Sequence, residues 1–160
     1  MTDIRVGIGF DAHALEAGVP LVLGGVPIDY PRGLAGHSDG DVIAHALIDA
    51  LLGAANLGDI GSLFPSADEQ YRGASSLDLL WEAYREVREA GWALVNADCI
   101  LIAEEPRIGT VRDEMCDRLA GAIGVDRGCV TVRATTTDGL GFTGRGEGLA
   151  AQAVALLRRS

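Results

Sequence analysis

The stretch HSDGDVIAHALIDALLGAANLG, residues 37–58, decides the architecture. Its polar start ends at Asp39 and Asp41, either of which can cap a helix N-terminus through its carboxylate. Beyond them Val42, Ala46, Leu47, Ala50, Leu51, Ala54 and Leu57 recur at spacings of three and four, the repeat of a helix with a buried face. This predicts a helix over residues 41–57, stopped by Gly58. Toward the N-terminus, residues 21–28 (LVLGGVPI) read as a hairpin turning at Gly24-Gly25, and residues 4–10 (IRVGIGF) as a short strand. Toward the C-terminus, residues 59–68 read as a loop, 75–90 as a helix with Leu79, Leu80, Ala83 and Val87 inward, and 92–103 as a long strand. A helix over 110–123 and a strand over 128–134 follow. A Gly-rich loop then leads to a last short helix over 149–157. The alternation, without repeats or linkers, predicts a single domain over residues 1–160 of α/β or α+β class. Some strand edges need cover from partner subunits.

Composition narrows the chemistry. Of 160 residues, 48% are apolar, enough for a real core. The net charge of −10 argues against nucleic acid as a partner, because a phosphate backbone needs a basic face. There is no Lys; all 13 basic residues are Arg. A Walker-type phosphate-binding Lys and a Schiff-base Lys are thereby excluded. Cys99, Cys116 and Cys129 show neither zinc-ligand spacing nor an even count. A reduced, cytoplasmic location is expected. No signal peptide opens the chain, and no window is apolar enough to span a membrane.

The three His, His13, His37 and His45, all fall in the first third of the chain. Asp11 and His13 follow the first strand, and in extended chain residues i and i+2 point to one side. His45 sits on the predicted helix, with Asp41 and Asp49 one turn away on either side. Asp11, His13 and His45 make a two-His, one-carboxylate set for Zn²⁺ with an open fourth position. Asp49 is placed to orient the His45 ring. His37 and Ser38 lead into a helix N-terminus, where free amides favour an anion. Thr135, Thr136 and Thr137, followed by Asp138 and glycines, can cradle a diphosphate. Asp138 suits a hydrated hard cation such as Mg²⁺. Arg145 is placed either to pair with Glu147 or to meet an anion.

The segments GFDAH (residues 9–13), AGHSDGDVIAHALIDALLGAANLGDIGSLFP (35–65) and ATTTDGLGFTGRGEGLA (134–150) together resemble the 2-C-methyl-D-erythritol 2,4-cyclodiphosphate synthase family of the non-mevalonate (MEP) isoprenoid pathway. The resemblance covers essentially the whole chain. It implies an α+β fold, an α/β sandwich whose mixed sheet carries helices on one face, assembled as a homotrimer with active sites between subunits. It also implies a lyase reaction in which the 2-phosphate of 4-diphosphocytidyl-2-C-methyl-D-erythritol 2-phosphate attacks the β-phosphorus and releases CMP. By the same resemblance, Asp11, His13 and His45 match zinc ligands, and His37 and Thr136 match residues that stabilise the transition state. Asp59, Ile60 and Gly61, continued by Phe64, Pro65, Ser66, Ala67 and Asp68, match the segment around the erythritol. Ala103, Pro106, Arg107, Ile108 and Gly109, with Thr135 and Thr136, match the cytidine diphosphate pocket of a neighbouring subunit. Phe142 and Arg145 match the lining of the trimer axis, where some members bind an isoprenoid diphosphate. A second cation, Mg²⁺ or Mn²⁺, is expected to bridge the diphosphate near Asp138. This sequence departs from the family in having Asp138 where Glu is frequent, and Arg107 and Gly139 where Lys is common.

Overall fold

The computed structural model describes residues 3–160. Its strands are β1 (Ile4–Ala17), β2 (Leu21–Leu23), β3 (Val26–Ile28), β4 (Arg32–Leu34), β5 (Trp92–Ile102), β6 (Val130–Thr135) and β7 (Gly148–Arg159). Its helices are α1 (Val42–Ala54), α2 (Ile60–Leu63), α3 (Ser76–Glu89), α4 (Arg112–Ile123) and α5 (Gly141–Gly144). One five-stranded mixed sheet runs in the order β4-β1-β7-β5-β6, antiparallel except where β5 meets β6. The separate β2–β3 hairpin turns at Gly24 and Gly25, both with positive φ, as expected. Among the described residues no helix is long and apolar enough to cross a membrane.

The predicted central helix forms as α1, and almost every one of its residues is buried. A helix that is apolar all round belongs inside a protein. It lies between the sheet and α3, and its fit on the sheet is set by β1 and β7. A Cβ at Gly7 would run into the Ala50 carbonyl and one at Gly9 into the Ala46 carbonyl. Their cross-strand partners on β7 are Ala155 and Ala153. The trough under α1 is therefore lined by residues with little or no side chain, and helix and sheet meet at backbone distance.

That trough explains the one element predicted wrongly. Residues 149–157 (LAAQAVALL) were expected as a helix, because Ala and Leu favour one. They lie in β7, between β1 and β5. From Ala151 onward, Ala151, Ala153, Ala155 and Leu157 are buried in alternation with the less buried Gln152, Val154 and Leu156, the period of a strand. Ala is there because α1 leaves room for nothing larger. The first strand also runs further than expected, through Ala17, so Asp11 and His13 lie within it rather than after it. Short helical turns interrupt the loops at 60–63, 69–71 and 141–144.

Asp41 joins the hairpin to α1. Fully buried, it accepts hydrogen bonds from the Ile43 and Ala44 amides at 3.1 Å, as the helix cap. It also accepts from the Gly24 and Gly25 amides at 2.9 and 2.7 Å. Burial pushes its carboxyl up to about 6, against the pull of those amides.

The odd positions of β1 face α1, and the even positions face away. Ile4, Val6, Ile8 and Phe10 are 54, 68, 63 and 55% exposed, beside Val154 of β7. This apolar strip is large for a surface in contact with water.

Two outcomes follow from the packing. Gly9→Ala is expected to lower the unfolding free energy by about 1–3 kcal/mol, since the added methyl meets backbone that cannot turn aside. Urea denaturation measures this, and wild-type stability in the variant would rule out the close approach. Asp41→Asn turns an amide donor toward the Gly25 N–H or the helix amides and costs about 1–3 kcal/mol. Asp41 titrates near 6 when folded and near 3.8 in an unfolded chain. The folded chain therefore holds the extra proton, and wild type loses stability relative to Asp41→Asn as pH rises from 3.8 toward 6. Denaturation across that range tests the sign.

Candidate active site

Close packing of α1 on β1 brings the His45 ring to Asp11. Asp11 Oδ2 lies 3.0 Å from His45 Nδ1 and 3.0 Å from His13 Nε2. The two imidazoles meet edge to face, with centroids 5.6 Å apart. Asp11 is largely buried, which opposes its ionisation. The His13 and His45 rings facing it, by polar contact and by charge, more than offset burial and hold its carboxyl at about 2. The Asp11 carboxylate beside it raises His13, against burial.

These three side chains are grouped as a metal ion would group them, their ligand atoms all within 4.8 Å of one another. One further observation tests the fit. His13 Nε2 is buried and has no hydrogen-bond partner among the described residues, although it points at the common carboxylate oxygen. A buried, unpartnered imidazole nitrogen is costly in a stable fold. A cation between the three atoms satisfies it, so the residues fit a divalent metal held by one oxygen and two nitrogens.

The triad opens into a cavity of about 440 Å³. Asp11, His13, His45, His37 and Ser38 line one side; Ile60, Gly61, Phe64, Pro65, Ser66 and Ala67 line the other. Asp59 is the N-cap of α2, accepting from Ser62 N at 2.8 Å. Asp68 caps the turn at 69–71, and its carbonyl accepts a 3.0 Å hydrogen bond from His37 Nε2. His37 is thereby held by one ring nitrogen, and the other is left for a ligand. Tyr71 and Leu79 also line the cavity and were not anticipated. Tyr71 stacks edge to face on Phe64, which no sequence motif signals.

Asp49 does not orient His45, contrary to expectation. Its carboxylate accepts the Ile60 amide at 2.7 Å and so anchors α2 against α1. Burial raises its pKa, opposed by that bond. The far edge of the His45 ring meets two hydroxyls instead. Nε2 is 2.8 Å from Ser76 Oγ and 3.0 Å from Ser38 Oγ.

A second cleft, of about 380 Å³, lies at the β5–β6 end of the sheet. Ala103, Pro106, Arg107, Ile108, Gly109, Thr135 and Thr136 line it, as expected, and Glu104 and Arg112 join them. Glu104 accepts the Gly139 amide at 3.0 Å and ties the Gly-rich loop to the end of β5. In that loop Thr136 Oγ1 donates to Asp138 and accepts the Asp138 amide, both at 3.2 Å. Thr137 points inward, donating to the Leu140 carbonyl at 2.6 Å and lying 2.9 Å from Thr143 Oγ1. Of the two roles open to Arg145, pairing with Glu147 is the one formed, at 2.7 Å. Phe142, nearby, is 40% exposed.

The register relates the two clefts. Ala12 pairs with Ala150, Ala150 with Ile102, and Ile102 with Thr135. Both clefts therefore open at the same end of the sheet, three strand spacings apart, roughly 14 Å. Within one chain they share no lining residue.

Known proteins are similar to this chain over nearly all of its length. The YgbB family model matches residues 4–158. A 2-C-methyl-D-erythritol 2,4-cyclodiphosphate synthase of Moorella thermoacetica is 58% identical over 154 residues, 96% of this chain and 94% of that protein. The bifunctional IspDF of Campylobacter jejuni superposes with a TM-score of 0.96 at 43% identity; the match covers all of this chain and 43% of that one. An IspF of Plasmodium falciparum in complex with CDP superposes with a TM-score of 0.86 at 30% identity, over 98% of this chain and 97% of that one. The family model spans residues 4–158 and the Moorella thermoacetica relative is 58% identical over 96% of the chain, so the chain belongs to the YgbB family.

Proposed function

We propose that the chain cyclises 4-diphosphocytidyl-2-C-methyl-D-erythritol 2-phosphate to 2-C-methyl-D-erythritol 2,4-cyclodiphosphate and CMP, as a phosphorus–oxygen lyase of the MEP pathway. An oxygen of the 2-phosphate bonds to the β-phosphorus, and the β-phosphorus–oxygen bond to the CMP phosphate breaks. No water is consumed. The observation that carries this reading is the convergence of Asp11 Oδ2, His13 Nε2 and His45 Nδ1 at the mouth of the 440 Å³ cavity. Neither phosphate needs a strong base, so positioning and charge neutralisation are the whole task.

When bound, Zn²⁺ on the triad and Mg²⁺ or Mn²⁺ at the exposed Asp138 carboxylate supply Lewis-acid charge neutralisation in a chain without Lys. The protein groups do the rest. Asp59, Ile60 and Gly61, with the segment Phe64 to Asp68, enclose the erythritol. Ala103, Pro106, Arg107, Ile108 and Gly109 take the cytidine diphosphate, with the Arg107 guanidinium at a phosphate in place of the more usual ammonium. His37, through its remaining ring nitrogen, and Ser38 donate to the oxygens that gain charge as the bond to CMP breaks, joined by the Thr136 hydroxyl once it turns from Asp138. Thr135 continues the wall beside Thr136, and Thr137 holds the loop from inside.

The distance between the clefts supports a homotrimer. A substrate held at the triad of one copy reaches the nucleotide cleft of a second, because the intervening strands separate the two clefts within a copy. The exposed strip of Ile4, Val6, Ile8 and Phe10 is the surface that such an assembly buries. Phe142 and Arg145 then face the trimer axis, where an isoprenoid diphosphate is the ligand to test.

Incubation with the substrate, Zn²⁺ and Mg²⁺ should give CMP and a cyclic diphosphate by ³¹P spectroscopy. Free phosphate monoester without cyclic product would mark a zinc phosphohydrolase instead. Binding without turnover would mark a ligand-binding protein. His45→Ala should lose zinc together with activity, by several kcal/mol of transition-state stabilisation, on the order of 10³-fold; full turnover by the zinc-free variant would overturn the mechanism. Sedimentation should give about 50 kDa, three times the 16.7 kDa chain. Ile8→Glu should shift it to monomer and abolish turnover while the triad still binds zinc.

A further inference from the structure

His45 is held on its far side by a chain of hydrogen bonds whose direction can be read from donor chemistry. Asp39 accepts three donors: the Asp41 amide at 3.1 Å, the Ser76 amide at 2.9 Å, and the Ser76 hydroxyl through a short bond. An ionised carboxylate can only accept, so the single Ser76 hydroxyl hydrogen is committed to Asp39. Ser76 is fully buried, and its oxygen lies 2.8 Å from His45 Nε2. With its hydrogen spent, that oxygen can only accept. The hydrogen between Ser76 and His45 therefore belongs to Nε2.

We propose that Ser76 and Asp39 are positioning residues that keep the proton of His45 on Nε2. They thereby leave Nδ1 for the position shared with Asp11 and His13: to a cation there it offers its lone pair, and with none there it donates a hydrogen to Asp11. The proposal rests on the reading of that triad as a metal site. It gives Asp39 a role beyond helix capping. Ser75, the N-cap of α3, makes no side-chain capping bond, and Asp39 supplies the missing acceptor to the Ser76 amide from another segment. One carboxylate thus ties the start of α3 to the start of α1 and sets the polarity of a hydrogen bond to a metal-binding ring. Ser38, 3.0 Å from the same nitrogen, has no such commitment to a carboxylate and leaves the assignment unchanged.

Partners of this kind usually change metal affinity by about 10–100-fold when removed. Zn²⁺ affinity is measured by competition with a chelating dye, for wild type, Ser76→Ala and His45→Ala. The position of the His45 proton is read by ¹⁵N-histidine spectroscopy, with and without Zn²⁺. The expected result is one Zn²⁺ per chain in wild type, abolished in His45→Ala and weakened by about 10–100-fold in Ser76→Ala. Nε2 should carry a proton in both metal-free and zinc-loaded wild type. Wild-type affinity in Ser76→Ala overturns the proposal and leaves the metal site standing. So does a neutral His45 with a bare Nε2 in the metal-free protein, a result that depends on no variant. Absence of stoichiometric Zn²⁺ from wild type removes the metal site and the proposal together.

Discussion

Helix α1 rests on β1 at backbone distance because Gly7 and Gly9 present hydrogen where any other residue would present a Cβ. Much of the molecule depends on that contact. It requires Ala on the neighbouring strand, it buries α1 on all sides, and it brings a ring on the helix to a carboxylate on the strand. With a larger residue at either glycine, His45 would be lifted away from Asp11. The geometry of the Asp–His–His cluster is thus a consequence of core packing as much as of residue identity.

The polar residues around α1 divide the work of holding it. Asp41 fastens its start to the β2–β3 hairpin, Asp49 fastens its middle to α2, and Asp39 reaches across to α3. Each carboxylate is matched by backbone amides, so an acidic segment can be buried without basic partners. Asp11 differs from these three in meeting two imidazoles rather than backbone amides. On the proposed function, an acidic chain handles a multiply charged phosphate ligand because the positive charge enters with cations rather than as a basic surface.

Local signals carried the sequence reading a long way. The spacing in residues 42–57, the Gly-Gly turn and the amphipathic residues 75–90 each follow from contacts a few residues apart, and all three elements formed. The Asp-x-His pair was legible because a strand puts i and i+2 on one side. The failures have a common cause in contacts between distant segments. Residues 149–157 read as a helix because nothing local reveals that α1 will press on their alanines. Asp49 was assigned to His45 on helical spacing, but α2, folding back, offered its carboxylate an amide. Ser76 gave no signal, since a Ser at the start of a helix is ordinary; its meaning comes from Asp39, 37 positions earlier.

Strand β1 alternates between two duties. Gly7, Gly9, Asp11 and His13 face the helix, and Ile4, Val6, Ile8 and Phe10 face outward. With a period of two, a slip of one residue exchanges the sets completely. Isoleucine and phenylalanine would then meet α1, and Asp11 would turn to the outer face. An insertion or deletion of a single residue in this strand cannot damage packing, metal ligation or the outer surface separately. The three are locked to one reading frame of side chains, and β1 can change in evolution by substitution but not by length.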